Sequence, residues 1–156
     1  MFLKQTHKPG EAYVYKLRPR NVEVPTALMF LHPDAIVIPV PATLRYNRKD
    51  PYTVGLWIFD DDPTDEQKAK HWCLERKMLA LGMYRPTGSG MVRVWPRGSS
   101  GGECVGLSLA SPDKAAVFGI ARDTLLRFLR LTYFQVPSGQ ESNHMDIDAL
   151  VEMLMA

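Results

Sequence analysis

Arg85-Pro86-Thr87-Gly88-Ser89-Gly90-Met91-Val92-Arg93-Val94-Trp95-Pro96 is the stretch whose reading decides the fold. Its first six residues are loop chemistry: proline, two glycines and a serine punctuate the chain and favour turns over any regular element. From Met91 to Trp95 the pattern changes to a strand with Val92 and Val94 on one face. Pro96 to Gly102 reads as a flexible connection and Glu103 to Ala110 as a second strand, so the pair forms a hairpin with a long loop. Ser111-Pro112-Asp113 turns the chain again, and Lys114 to Ile120 is a third short strand. Gly88-Ser89-Gly90 precedes a strand, whereas a phosphate loop follows one and opens a helix, so it is not a nucleotide site.

Working outward, the texture from Val22 on is also β. Leu28 to Leu31 and Ala35 to Val40 are branched and apolar, Leu44-Arg45-Tyr46 runs into the turn set Asn47 to Pro51, and Tyr52 to Phe59 follows. That last segment carries apolar groups on both faces, which predicts a central strand covered on both sides. Asp60-Asp61-Asp62-Pro63 reads as a solvated turn, because adjacent carboxylates point apart and no second cluster completes a cation site. Residues 64–82 are ambiguous. Thr64 and Gln67 resemble a capping box and Gly82 a helix stop, yet Trp72 and Leu74 alternate with His71 and Cys73 as a strand would.

Toward the other end, Ala121 to Phe134 is a helix with Leu125, Leu126, Phe128, Leu129 and Tyr133 on one side and Asp123, Arg127 and Arg130 on the other. A last helix is expected after Asp146, with Ile147, Leu150, Val151 and Leu154 at helical spacing. Such a short stripe needs something to dock on.

The 156 residues are 46% apolar and 23% charged, enough for one domain with a real core. Residues 1–22, rich in lysine and arginine and broken by Pro9, Gly10 and Pro19, read as a basic flexible arm, leaving 23–156 as the domain. A net charge of +2 is too near neutral for a protein that binds nucleic acid by counterion release. Cys73 and Cys104 make neither a disulfide framework nor a metal pair, and the start lacks a secretory pattern, so a reducing cytoplasm is expected. Cys104 with His144 offers no activated thiolate, and His71 with Cys73 lacks two further ligands. No enzymatic activity, metal or cofactor is expected.

Residues 39–137 resemble the SsgA-like sporulation and cell division proteins of filamentous actinobacteria. The matches run in order through Pro39-Val40-Pro41-Ala42, Leu44-Arg45-Tyr46, Asp50-Pro51-Tyr52, Trp72, Leu79 to Gly82, the Arg85 to Pro96 block, Leu107 to Pro112, Ala121-Arg122 and Phe128-Leu129. The resemblance implies an α+β fold of mainly antiparallel β-sheets with two or three helices. It also implies a bell-shaped trimer similar to the Whirly-type single-stranded nucleic-acid-binding proteins. Trp72 then lies in a strand, and the helix is confined to about Arg76–Leu81. The function implied is non-enzymatic: recruiting or positioning the septation machinery, with the tubulin-like division protein FtsZ as partner at the septum. The alternative carried beside it is a single-stranded nucleic-acid binder. Arg45, Tyr46, Tyr52, Arg85, Thr87, Trp95 and Arg97 are the shared structural or contact positions expected from the resemblance. The basic arm and the charged Asp60–Lys70 insertion are longer than the family pattern.

Overall fold

The computed structural model describes residues 21–60, 62–98, 104–144 and 154–155. Among these residues, seven strands and two helices follow one another as β1 (Asn21–Leu31), β2 (Val37–Asn47), β3 (Thr53–Ile58), β4 (Lys70–Glu75), α1 (Arg76–Gly82), β5 (Val92–Arg97), β6 (Cys104–Ala110), β7 (Ala115–Ala121) and α2 (Arg122–Gln135), with the helical pair Leu154–Met155 apart from them. A 3-10 turn at Glu141–His144 comes after α2. All strand pairs are antiparallel, and they form one sheet in the order β4-β3-β2-β1-β7-β6-β5.

The sheet is in effect two halves hinged on β1. Strands β1 and β2 pair along their whole length, from Asn21↔Asn47 to Leu31↔Val37. β7 meets β1 only at Met29↔Gly119 and Phe30↔Phe118. Strand alternation sends Val22, Val24, Leu28, Leu44, Val54, Leu56 and Leu74 to one face, and Val94, Val105, Leu107, Phe118 and Ile120 to the same face of the other half. The helices fill the space between the halves. Leu79 of α1 and Leu125, Phe128 and Leu129 of α2 are buried there, each worth roughly 1.5–3 kcal/mol of apolar transfer. Asp123, Arg127 and Arg130 face solvent, as their spacing predicts.

Residues 64–82 resolve into β4 followed at once by α1, so Trp72 is in a strand and the helix starts at Arg76. Thr64 caps no helix; Asp62 instead accepts from its backbone N–H at 2.9 Å and its hydroxyl at 2.6 Å in an exposed turn. Three expectations need correction. β3 is flanked by strands on both sides but covered on one face only: Val54, Leu56 and Ile58 are buried while Thr53, Gly55 and Trp57 are half-exposed. Pro96 and Arg97 belong to β5, paired with Val105 and Cys104, because a proline on an edge strand costs no ladder bond if its nitrogen faces outward. β1 also takes in Asn21 and Val22, the last two residues of the expected arm. The rest of the arm, the Gly101–Gly102 connection and the Ile147–Val151 stripe lie outside the described residues; Leu154 and Met155 are helical and exposed.

Candidate interaction surface

The outer face of the sheet, turned away from the helices, carries most of the residues the sequence singled out. On the β1–β4 half, Trp57 stacks on His71 of the neighbouring strand, with ring centroids 4.4 Å apart and planes inclined by 21°. The Arg45 guanidinium lies 4.8 Å from the Trp57 ring centroid. Arg45 is also held by two carboxylates, Glu23 at 3.3 Å and Glu66 at 2.9 Å. The bond to Glu66, more than any other contact, raises the Arg45 pKa, and the same bond holds the Glu66 carboxyl below its usual range. Gly55, between Arg45 and Cys73 in the register, lets the His71 and Trp57 rings close over its backbone, so the shelf is a cation–aromatic stack with an acidic rim.

On the β5–β7 half, the outer row runs Trp95–Gly106–Gly119–Met29 across the register. A methyl group on Gly106 would collide with the Trp95 indole, so the ring lies flat on bare backbone. A β-carbon on Gly119 would stand 3.3 Å from the Cys104 sulfur and 3.7 Å from the Arg97 guanidinium, which passes over it in ordinary contact. Trp95, Thr87, Pro86, Gly88, Arg93 and Ser108 line a groove of about 490 Å³. One wall is the loop before β5. Thr87 exchanges both backbone bonds with Val94, at 2.8 and 2.9 Å, and its hydroxyl donates to the Arg85 carbonyl at 2.9 Å. Gly88 and Gly90 have φ of 89° and 80°, a left-handed conformation open to glycine at little cost.

Of the seven expected positions, Thr87 and Trp95 come together in this groove, with Arg97 beside it and the exposed Arg85 at the loop's start. Arg45 belongs to the separate shelf. Tyr52 is exposed at the entry to β3, and its carbonyl accepts from the Arg76 N–H at 2.8 Å. Tyr46 points inward and is 1% exposed, a core residue whose hydroxyl donates to the Pro51 carbonyl at 2.9 Å. Burial pushes its phenol up to about 12.

Sequence reasoning passed over Arg76, which is 1% exposed. Its guanidinium donates to the carbonyls of Thr132 (3.2 Å) and Val136 (2.8 Å) and to Glu141 (3.0 Å), with the Tyr133 ring centroid 4.0 Å away. It ties the start of α1 to the end of α2. Its flanking residues, Glu75 and Lys77, are both charged, so nothing in the local sequence marks it as buried. Trp57 and His71 were legible as members of alternating strands, but their pairing needed the β3–β4 register.

Among the described residues, no group of three or more His, Cys, Asp or Glu is placed to hold a metal ion. Cys73 is exposed on β4, and Cys104 lies half-buried on β6 beside Gly119. No helix of the described residues is long and apolar enough to cross a membrane.

Comparison with known proteins bears on the fold and the family. The family described as Streptomyces sporulation and cell division protein, SsgA, matches residues 40–141. The sporulation-specific cell division protein SsgB of Salinispora tropica is 43% identical over 140 residues, covering 90% of this chain and 96% of that protein. SsgB of Streptomyces coelicolor is 39% identical over 119 residues, 76% and 84% of the two chains. The crystal structure of an SsgA-like sporulation-specific cell division protein from Thermobifida fusca superposes with a TM-score of 0.73 at 35% identity, over 85% of this chain and 94% of that one. Sequence and superposition agree on one assignment: the chain belongs to the SsgA family of sporulation and cell division proteins.

Proposed function

We propose that this protein is a non-enzymatic regulator of cell division during sporulation, which as a homotrimer recruits or positions the septation machinery through an FtsZ-type division protein. The observation that carries the reading is the 43% identity, over nine tenths of the chain, to a relative named as a sporulation-specific cell division protein. The outer face supplies the physical means. Each copy presents a groove holding a half-buried tryptophan with arginines at its rim, the residue types enriched at binding hot spots. Three copies in one assembly would let modest contacts add by avidity. Single-strand binding needs a basic groove with free stacking rings. Here the cation over Trp57 is already engaged by Glu23 and Glu66, so the nucleic-acid alternative gains no support.

The test is two-part. A fluorescently tagged chain in its native host should form foci or ladders at septa, and purified chain should retain the host's FtsZ-type protein. Arg85→Glu and Arg97→Glu alter exposed side chains and should abolish retention without lowering the melting temperature. Diffuse or nucleoid-wide fluorescence, or retention indifferent to both substitutions, would reject the reading.

A further inference from the structure

The ribbon joining β1 to β2 is paired with nothing but itself. β3 reaches β2 only as far as Ala42↔Ile58, with one more bond from the Phe59 N–H to the Pro41 carbonyl. β7 leaves β1 at Met29 and Phe30. Residues 31–40 therefore project beyond the sheet as a two-stranded arm, at the end of the strands opposite Arg76. The arm is formed, not frayed. His32 N–H donates to the Ile36 carbonyl at 2.9 Å, Ala35 N–H to the His32 carbonyl at 3.0 Å, and Ala35 takes φ of 66° to close the tip.

Its side chains are those of a buried strand. Ile36, Val37 and Ile38 are 56%, 49% and 41% exposed, three consecutive branched residues in solvent. Isolated two-stranded ribbons are marginal in water, and contiguous exposed apolar surface marks a contact site. The same end of the molecule holds the complementary shape. Between the sheet halves, Phe30, Val40, Ile58, Trp72, Leu109 and Phe118 line an open cleft of about 720 Å³. Two lysines, Lys70 and Lys114, and one carboxylate, Asp60, stand at its rim, a net positive edge, and the arm's own carboxylate, Asp34, lies 3.4 Å from His32 with its side chain 77% exposed.

We propose that the arm of one copy, through Ile36–Ile38, docks in the cleft of the next, with Asp34 meeting the lysine rim. Projection and receptacle on one chain make a head-to-tail contact, which closes into a ring when the rotation allows. The inference rests on the homotrimer reading and assigns the surfaces that build it. It buries on each copy the exposed branched residues of the arm and the open cleft.

The experiment uses the full chain in a Cys73→Ser background, which removes the exposed thiol. One copy carries Val37→Cys with a size tag and another carries Ala115→Cys at the cleft rim; the two are mixed and mildly oxidised. A disulfide between tagged and untagged chains is expected. Ile36→Ser/Ile38→Ser, which changes only exposed side chains, should reduce the mass by light scattering from three times 17.6 kDa to that of one chain, with circular dichroism unchanged. If wild type assembles but the double variant still assembles and no mixed disulfide forms, the arm–cleft contact is overturned and the trimer stands. If a chain carrying both cysteines closes on itself while mixed chains do not, the arm folds back and the contact is again overturned. Wild type remaining a 17.6 kDa species at micromolar concentration would reject trimer and contact together.

Discussion

Removing the Arg76 guanidinium tests whether one buried cation holds the two helices in place. The side chain meets three acceptors at 2.8–3.2 Å: the Thr132 carbonyl in the last turn of α2, which also accepts from the Val136 N–H, the Val136 carbonyl just beyond the helix, and the Glu141 carboxylate. Arg76→Ala takes the guanidinium donors from all three, leaving Thr132 its Val136 N–H and Glu141 its Gly139 N–H, and empties the space between the Tyr46 and Tyr133 rings. Breaking a buried ion pair costs about 3–5 kcal/mol. Glu141 keeps 15% of its side-chain exposure and regains some water, which places the expectation near the lower end, about 3 kcal/mol. Arg76→Lys keeps the charge but cannot fork to three acceptors, so it should lose a substantial part of that. Glu141→Gln keeps a neutral acceptor and should cost about 1 kcal/mol. Urea unfolding at fixed chain concentration reads these values, since assembly would otherwise shift the midpoint. The exposed neighbour Lys77→Ala is the control. An Arg76→Ala loss below about 1 kcal/mol, or equal to the control, would refute the reasoning. The same site predicts a pH dependence. Glu141 is held below its ordinary value of 4.5, first by backbone hydrogen bonding and, after the opposing effect of burial, by Arg76. A depressed carboxyl contributes stability that is complete above the unfolded value and lost as pH falls through the folded one. Wild type should therefore weaken below about pH 4.5, and Glu141→Gln should flatten that decline.

Gly82→Ala should destabilise by about 1–3 kcal/mol, because its methyl would overlap Val94 where α1 crosses β5. Val94→Ala in the same chain should recover part of that loss, and strict additivity of the two costs would count against the contact. Gly106→Ala should lift the Trp95 indole off the sheet, shifting its emission to the red and weakening partner binding while leaving the far-ultraviolet spectrum intact; an unmoved spectrum would reject the stacking. Deleting residues 1–20 should change the melting temperature little, since Pro9, Gly10 and Pro19 break regular structure there. A large drop would make Tyr13-Val14-Tyr15 a paired strand.

How far the sequence reaches depends on the range of the physics involved. The Arg85–Pro96 block was legible because turn and strand chemistry are local: Gly88 and Gly90 take the positive φ that glycine permits, and Val92 and Val94 share a face. α2 was legible for the same reason, its 3.6-residue stripe matching Leu125, Phe128 and Leu129 in the core. Residues 64–82 defeated periodicity, because β4 and α1 abut without a linker and each is short. The covered face of β3 was half right. Trp57 is apolar enough to look buried, yet it is matched by a cation and an imidazole from two other strands. Arg76 was invisible because its partners lie 56 to 65 residues away. The same holds for the interaction list: Tyr46 and Arg45 are adjacent in sequence, and alternation puts one in the core and the other on the shelf.

The two edges of the sheet argue for how such a protein meets others. An unpaired edge invites strand addition, which is backbone-directed and tolerant of sequence. β5 is closed to it: Thr87 takes the bonds of Val94, and Pro96 has no donor to offer. β4 is only six residues long and carries Lys70, His71 and Glu75, charged or polar groups that blunt an edge. With β4 and β5 protected, a partner on the body of the sheet meets side chains: the Trp95 groove or the Arg45–Trp57–His71 shelf. Recognition through side chains is sensitive to single substitutions in a way that strand addition is not. Charge reversals at Arg85 or Arg97 should therefore separate binding from folding, whereas an edge-pairing protein would tolerate both. The division of labour follows from the pleat itself, since each strand turns alternate residues to the core and to the partner-facing side.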